Sequence, residues 1–176
     1  MPRRHTPFRL RFPERDVPKW AARYAYSGSD DDILESIRPQ ILLRGHLTRA
    51  EFLTICAWKS PRAKPRCREN SEHTIRTLTR AALASSDEAV KIDLLRLLRG
   101  VEWPTASSIL HFCDARPYPI LDYRALWSLG FAKPPAYTME FWLDYLAFTR
   151  ALAARLGLPI RTVDKALWQY SKERQG

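Results

Sequence analysis

The chain has 176 residues, of which 45% are hydrophobic and 27% are charged. A chain of this length buries roughly 70% of its unfolded surface, so it can form a core without a disulfide or a metal. Charged residues interrupt every apolar stretch before it reaches the ~20 residues of a membrane helix, and only 6 residues are glycine, which excludes membrane-spanning and collagen-like classes. The formal net charge of +10 favours a polyanionic partner, and nucleic acid is the first candidate.

Residues 1–13 combine four arginines with three prolines, a composition that predicts a flexible basic arm. From residue 14 to residue 176, apolar residues recur at helical spacing and no alternating strand pattern is present, which predicts one all-α domain. A helix is predicted over residues 18–26, and the helix that follows is expected to bend or end at Pro39. A capping box from Thr48 to Glu51 begins another helix.

Similar signals continue along the second half of the chain. Asn70 or Ser71 can cap a helix over residues 72–83. A second capping box at residues 85–88 precedes a helix that stops at Gly100. Its predicted buried stripe has helical spacing and consists of Val90, Leu94, Leu97 and Leu98. The remaining predicted helices cover residues 105–113, 123–129, 138–156 and 161–173.

The spacing of cysteine and histidine gives no indication of a metal site. An iron–sulfur cluster usually needs four thiolates, and the three cysteines lack the C-x-x-C pattern of zinc sites: Cys56, Cys67 and Cys113. Metal-ligand spacing is also absent among His46, His73 and His111, which lie far apart in the sequence. We therefore expect free thiols in a reducing compartment, no metal and no cofactor. The N-terminal residues carry charges and lack the apolar segment of a signal peptide, so we expect a cytoplasmic protein.

The most informative segment runs from Leu98 to Gly130. It reads LRGVEWPTA from Leu98 and YPILD from Tyr118, with a predicted helix after Asp122. This pattern resembles the helix-hairpin-helix DNA glycosylase superfamily, in which a Gly-hydrophobic-Gly hairpin and a Thr-Ala helix precede a loop that ends in a catalytic aspartate. The resemblance implies an all-α glycosylase-like fold of helical lobes around a cleft, with the hairpin and the catalytic loop within residues 87–130.

The resemblance also implies a reaction. The protein would be a DNA N-glycosylase that flips out a damaged or modified base and hydrolyses its N-glycosidic bond, as in base excision repair. Asp122 would stabilise the sugar cation and activate water. Pro104 stands where lyase-competent members carry a Schiff-base lysine, so the chain is similar to the monofunctional members. Asp122 is also well placed to cap the following helix, and the two roles are compatible.

Further residues are predicted to contact DNA. The hairpin would bind a phosphate through backbone N–H groups, and its assigned residues are Gly100, Val101, Trp103 and Thr105. Glu102 stands where the family's second glycine usually sits, and a carboxylate there is unfavourable unless it points away from the phosphate. Other predicted contacts come from a basic loop, which could also be merely solvated, and from the helix after Asp122: Lys59, Arg62, Lys64, Arg66, Arg68 and Arg124.

Four residues are candidates for the base pocket, with core packing as the alternative: Trp58, Asp164, Trp168 and Gln169. We expect DNA as the partner, a monomer, and no association with a membrane. Two other functions stay open. The first is a non-catalytic DNA-binding helix-hairpin-helix module that keeps Asp122 as a cap. The second is an enzyme that cleaves N-glycosidic bonds in RNA or in a free nucleoside.

Overall fold

Helix-capping residues and helical apolar spacing set the secondary structure of the chain. A computed structural model describes residues 8–26 and 30–176. Within these ranges all regular structure is helical and no strand occurs, which confirms the all-α prediction. In the described residues, single 3-10 turns at Glu14–Asp16 and Pro61–Ala63 accompany ten helices: α1 Val17–Ala22, α2 Asp30–Arg44, α3 Arg49–Lys59, α4 Lys64–Cys67, α5 Glu72–Ala84, α6 Glu88–Arg96, α7 Trp103–Cys113, α8 Tyr123–Ser128, α9 Met139–Leu156 and α10 Ile160–Arg174.

The helices belong to two compact units. Unit 1 joins the N-terminal part of the chain, up to Ala25, to Pro117–Gly176, and so contains α1 and α8 to α10. Unit 2 comprises Tyr26–Arg116 and contains α2 to α7. No helix in the described part of the chain is both long enough and apolar enough to cross a membrane.

In unit 1, α10 packs against each of α1, α8 and α9. The chain that precedes α1 is bound to the end of α8: Arg9 N donates to Leu129 O and Arg11 N donates to Ser128 O, both at 2.9 Å. The ring of Phe8 lies among the aromatic rings of α9. Residues 8–13 of the predicted flexible arm therefore make defined contacts within unit 1. Residues 1–7 of the predicted arm lie outside the described part of the chain.

In unit 2, α7 is the most apolar helix, and ten of its eleven residues are buried. It contacts α2, α3 and α6. At its C-terminal end the ammonium of Lys91 is buried and donates a hydrogen bond to the carboxylate of Asp114. Arg38 donates to the carbonyl oxygens of Asp114 and His111, at 2.6 and 2.9 Å. Charged side chains thus join α2, α6 and the end of α7 inside this unit.

Two of the predicted helix starts are confirmed, whereas the second predicted capping box is wrong, because Asp87 and not Ser85 caps α6 by accepting from Ala89 N at 2.8 Å and from Val90 N at 3.0 Å. Glu51 N donates to Thr48 Oγ1 at 3.3 Å, and Thr48 N donates to Glu51 Oε2 at 2.8 Å, which completes the predicted capping box. Of the two caps proposed for α5, Ser71 accepts the hydrogen bond from Thr74 N at 3.1 Å.

Of the two predicted outcomes at Pro39, a bend or an end of the helix, the end is wrong, because α2 continues to Arg44. Leu34 and Ile41, seven residues apart, are both fully buried. A helix on both sides of Pro39 places these two side chains on one face, and their burial offsets the hydrogen bond that proline cannot donate.

The predicted buried stripe is confirmed at Leu98, which is buried, but not at two of its other members. Val90 and Leu97 are 44% and 67% exposed, whereas Lys91, Ile92 and Leu95 are buried. The buried face of α6 is therefore rotated away from the predicted stripe. The pairing of Lys91 with Asp114 makes a charged residue part of this face, which a pattern of apolar residues alone does not reveal.

Candidate functional site

Asp122 ends the loop that leads into α8 and is the N-cap of that helix in unit 1. Arg124 N donates to Asp122 Oδ1 at 2.7 Å, and the side chain of Asp122 is half-buried. This hydrogen bond satisfies one of the unpaired N–H groups at the helix start. The capping role that the sequence indicated for Asp122 is confirmed, and the bond fixes the direction of its carboxylate.

The loop before Asp122 is clamped at Ile120 by two buried side chains. Both carboxylate oxygens of Asp164 accept from Ile120 N, at 3.1 and 3.2 Å. The hydroxyl of Tyr145 donates to Ile120 O at 2.9 Å. The peptide groups on both sides of Ile120 are thus held by α9 and α10, two residues before Asp122. Asp164, a predicted base-pocket residue, therefore binds the backbone of this loop and positions it.

Tyr137 is a neighbour of Asp122 that the sequence analysis missed. Burial raises the pKa of the half-buried Tyr137 hydroxyl, and the charge of Asp122 raises this pKa further. The ring of Tyr137 stacks on Phe141 of α9 with a centroid distance of 6.0 Å. Burial also raises the pKa of Tyr145 well above its usual value, and the charges of Asp164 and Asp122 act in the same direction. The only sequence signal at Tyr137 is its position after Pro134-Pro135, which predicts a loop.

Gln169 and Trp168, two further candidates for the base pocket, differ in their surroundings. Gln169 is buried, and its amide accepts from Ala25 N at 3.0 Å and donates to Glu173 Oε1 at 2.7 Å. Its polar atoms are therefore used within unit 1. Trp168 is half-buried, and the guanidinium of Arg124 lies 5.6 Å from the centre of its ring. Arg124 thus connects Trp168 to Asp122.

The hairpin between α6 and α7 belongs to unit 2 and depends on Gly100. Its φ of +80° lies in the left-handed region, and a Cβ there would lie 2.7 Å from Cys67 Sγ and 2.9 Å from Cys67 N. Only glycine fits this turn without displacing its neighbour.

The N-terminus of α7 lies in this hairpin and has no side-chain cap. Glu102 is the exposed N-cap residue of α7 and makes no capping hydrogen bond. The side chains of three predicted contact residues are buried: Val101, Trp103 and Thr105. A ligand at this turn would therefore meet backbone groups, as the sequence analysis expects of a phosphate contact.

Asn70 joins the hairpin to the basic loop before it. Its side chain accepts from Arg99 N and donates to Arg99 O, both at 2.9 Å, and it also donates to Cys67 O. Arg99 in turn forms an ion pair with Glu69 at 2.6 Å. We call residues 61–70 and 97–103 together the hairpin surface. Its exposed cations include four that the sequence predicted to contact DNA: Arg62, Lys64, Arg66 and Arg68.

The last two candidates lie at the end of α3. Trp58 is buried, and its ring lies 5.2 Å from Phe112 and 5.5 Å from Tyr26. Its surroundings are those of a core residue of unit 2. Lys59 is the final residue of α3 and is half-buried.

The cysteines are poor candidates for nucleophilic or metal chemistry. All three are free and buried, and burial raises the pKa of each thiol above its ordinary value: Cys56, Cys67 and Cys113. A thiol with a raised pKa carries little thiolate at neutral pH. Among the residues that the structure describes, no group of three His, Cys, Asp or Glu side chains is arranged to hold a metal ion.

No family model, curated protein or solved structure matches this chain.

Proposed function

We propose that this protein is a monofunctional DNA N-glycosylase with Asp122 as its catalytic residue. The observation that carries the proposal is the position of Asp122. Its carboxylate is oriented by Arg124 N, and it follows a loop that is clamped at Ile120 by Asp164 and Tyr145. It also ends a segment whose residues resemble the catalytic segment of helix-hairpin-helix glycosylases. A carboxylate held in this way is suited to stabilise a developing positive charge with little reorganisation.

In the proposed reaction the bond between C1′ of the sugar and the base nitrogen breaks, and its electron pair leaves with the base. Positive charge develops on the sugar, and the carboxylate of Asp122 stabilises it. A water molecule attacks C1′, and Asp122 accepts its proton. The departing base takes up a proton from solvent, and Asp122 returns the proton of water to solvent, so the products are a neutral free base and an abasic site. Pro104 has no amine that could attack the sugar, so no Schiff base forms there and the strand is not cut by the enzyme.

The hairpin surface is the proposed contact to the phosphate backbone. The uncapped N-terminus of α7 offers backbone N–H groups, and the exposed cations of residues 62–68 add positive charge beside it. Such contacts position DNA and carry no base specificity. Because each neutralised phosphate releases counterions, binding should weaken steeply as the salt concentration rises.

A non-catalytic DNA-binding module is the second candidate. The observation in its favour is the hydrogen bond from Arg124 N to Asp122, since a helix cap needs no catalytic role. The two candidates differ in one measurable product, because only the enzyme releases a base.

The experiment incubates the purified protein with a panel of DNAs that carry damaged or modified bases. Free bases are detected by mass spectrometry, and abasic sites are detected by alkaline cleavage. The Asp122→Asn variant keeps an oxygen that can cap α8 but loses the negative charge. Asp93→Asn is the matched control, because Asp93 is an exposed aspartate of unit 2.

We expect base release by the wild type and by Asp93→Asn, and a loss of about 10²- to 10⁴-fold in the rate for Asp122→Asn. DNA affinity should be similar in all three proteins. If all three proteins bind DNA and none releases a base from the panel, the glycosylase proposal gives way to the binding module.

A further inference from the structure

A second basic surface lies on unit 1, along one face of α10. The face carries Arg161, Lys165, Trp168 and Lys172, which are spaced three or four residues apart and therefore point to the same side of the helix. None of the four is fully buried. Both acidic residues of α10 bind other groups, because Asp164 accepts from Ile120 N and Glu173 pairs with Arg23.

Two aromatic rings meet on this face. The ring of Trp168 lies 5.4 Å from the ring of Tyr24, which follows α1, and the two planes are 70° apart. Both residues are half-buried. We call Tyr24 and Trp168 the aromatic pair.

Four cations surround the aromatic pair. Arg161 and Lys165 each lie 5.4 Å from the centre of the Tyr24 ring. Lys172 and Arg124 lie 5.0 and 5.6 Å from the centre of the Trp168 ring. These distances approach the outer limit of cation–π attraction, about 6 Å, so each ring contact is weak. Lys172 also donates a hydrogen bond to Ala25 O at 2.6 Å, which a phosphate contact would replace.

We propose that this face of unit 1 binds single-stranded nucleic acid, with bases stacked on the aromatic pair and the surrounding cations bound to phosphates. A base that arrives over a ring replaces the cation there. The displaced cation gains a phosphate oxygen, which is a better partner for it than the ring. Rings interleaved with cations form the combination by which proteins hold single strands without reading their sequence.

An unpaired strand fits this face better than a duplex does. In a duplex each base is covered on both sides by its neighbours, whereas an unpaired base has a free π face. Arg124 connects the face to Asp122, because its backbone N–H binds the Asp122 carboxylate while its guanidinium lies over Trp168. The inference goes beyond base release in naming an unpaired strand as the ligand, and it does not depend on catalysis by Asp122.

The test uses the full-length protein and a fluorescein-labelled oligothymidylate, with a duplex of the same length and phosphatidylserine vesicles as competitors. The charge variant is Lys165→Gln with Lys172→Gln. Its matched control is Lys19→Gln with Lys133→Gln, which removes the same charge from two exposed lysines of unit 1. The ring variants are Trp168→Leu and Trp168→Phe. Circular dichroism and the urea midpoint check that each variant is folded.

We expect Trp168→Leu to weaken oligothymidylate binding about 5- to 100-fold, and Trp168→Phe, which keeps a ring, to retain most of the affinity. Quenching of tryptophan fluorescence by the oligonucleotide should decrease in both ring variants. The charge variant should lower the slope of log affinity against log salt by up to about 1.4, since each single-strand phosphate contact contributes about 0.7. The control pair should leave that slope nearly unchanged.

The proposal is overturned if the charge variant and the control pair have equal affinities and salt slopes. It is also overturned if the wild type binds the duplex as tightly as the single strand, or if the vesicles and not the oligonucleotide lose affinity in these variants. Because Lys172 is exposed and Lys165 is half-buried, the charge variant does not open the core, and the charge comparison decides the question even if Trp168→Leu does not fold.

Discussion

Replacing Gly100 by alanine tests the close approach of the hairpin to α4. The backbone at Gly100 has a φ of +80°, and an added Cβ would lie 2.7 Å from Cys67 Sγ and 2.9 Å from the backbone N of Cys67. The left-handed conformation costs an L-residue about 1–2 kcal/mol. Overpacking against a neighbour that cannot move freely costs about 1–3 kcal/mol more. The free energy of unfolding should therefore fall by about 2–5 kcal/mol.

Gly45→Ala is the matched control in the same unit. Its φ is +75°, but no described heavy atom lies within 4 Å of the added Cβ, so only the backbone cost of about 1–2 kcal/mol applies. With a urea slope of about 2 kcal/mol per molar, Gly100→Ala should lower the unfolding midpoint by about 1–2.5 M and Gly45→Ala by about 0.5–1 M. Urea unfolding followed by circular dichroism measures both midpoints. Equal decreases would refute the close contact between the hairpin and Cys67.

Three other predictions follow from burial. Leu95→Ala should lower the free energy of unfolding by about 2–5 kcal/mol because Leu95 is fully buried, whereas Leu97→Ala should change it by no more than about 0.5 kcal/mol because Leu97 is 67% exposed. Urea unfolding measures both variants, and a larger loss for Leu97→Ala than for Leu95→Ala would favour the buried stripe that the sequence predicts. Asp164→Ala leaves the buried N–H of Ile120 without its acceptor and should lower the free energy of unfolding by about 1–3 kcal/mol. Asp164→Asn keeps an acceptor oxygen, so thermal unfolding should show that it retains most of the stability of the wild type. Equal losses in the two variants would contradict this role of Asp164. Burial raises the pKa of the thiols of Cys56, Cys67 and Cys113. At pH 8 a disulfide reagent such as Ellman's should therefore label these cysteines only after the protein unfolds. Rapid labelling of the folded protein would contradict their burial.

Features that depend on a few neighbouring residues could be predicted from the sequence. The capping box of Thr48 and Glu51 and the cap at Ser71 each involve two residues within one helical turn. Asp122 belongs to the same class, because a short polar residue before a helical pattern is the signal of an N-cap. The resemblance of its surroundings to a glycosylase segment, and not the cap pattern, gives it a proposed catalytic role.

Features that depend on distant residues could not be predicted. The buried face of α6 is decided by the pairing of Lys91 with Asp114, 23 residues later in the chain. Asn70 was a candidate helix cap, but its side chain instead binds both backbone groups of Arg99. The continuation of α2 through Pro39 also depends on packing and not on local preference. In each case a contact across the unit overrides the local pattern.

The candidate site shows the same division. Asp122 and the cations of the basic loop could be identified from the sequence, because their residue types and positions indicate their chemistry. Tyr137 gives no pattern in the sequence, because the effect of the Asp122 charge on its pKa depends on the fold and not on neighbouring residues. Asp164 carries the expected chemistry of a carboxylate, yet only the structure shows that it holds Ile120 N.

Base release by the wild type and by Asp122→Asn, compared on one DNA that both proteins bind, tests the central claim most directly. The account predicts free base and abasic sites from the wild type, and a rate about 10²- to 10⁴-fold lower from Asp122→Asn at unchanged DNA affinity. Base release by Asp122→Asn at the rate of the wild type would contradict the catalytic role of Asp122.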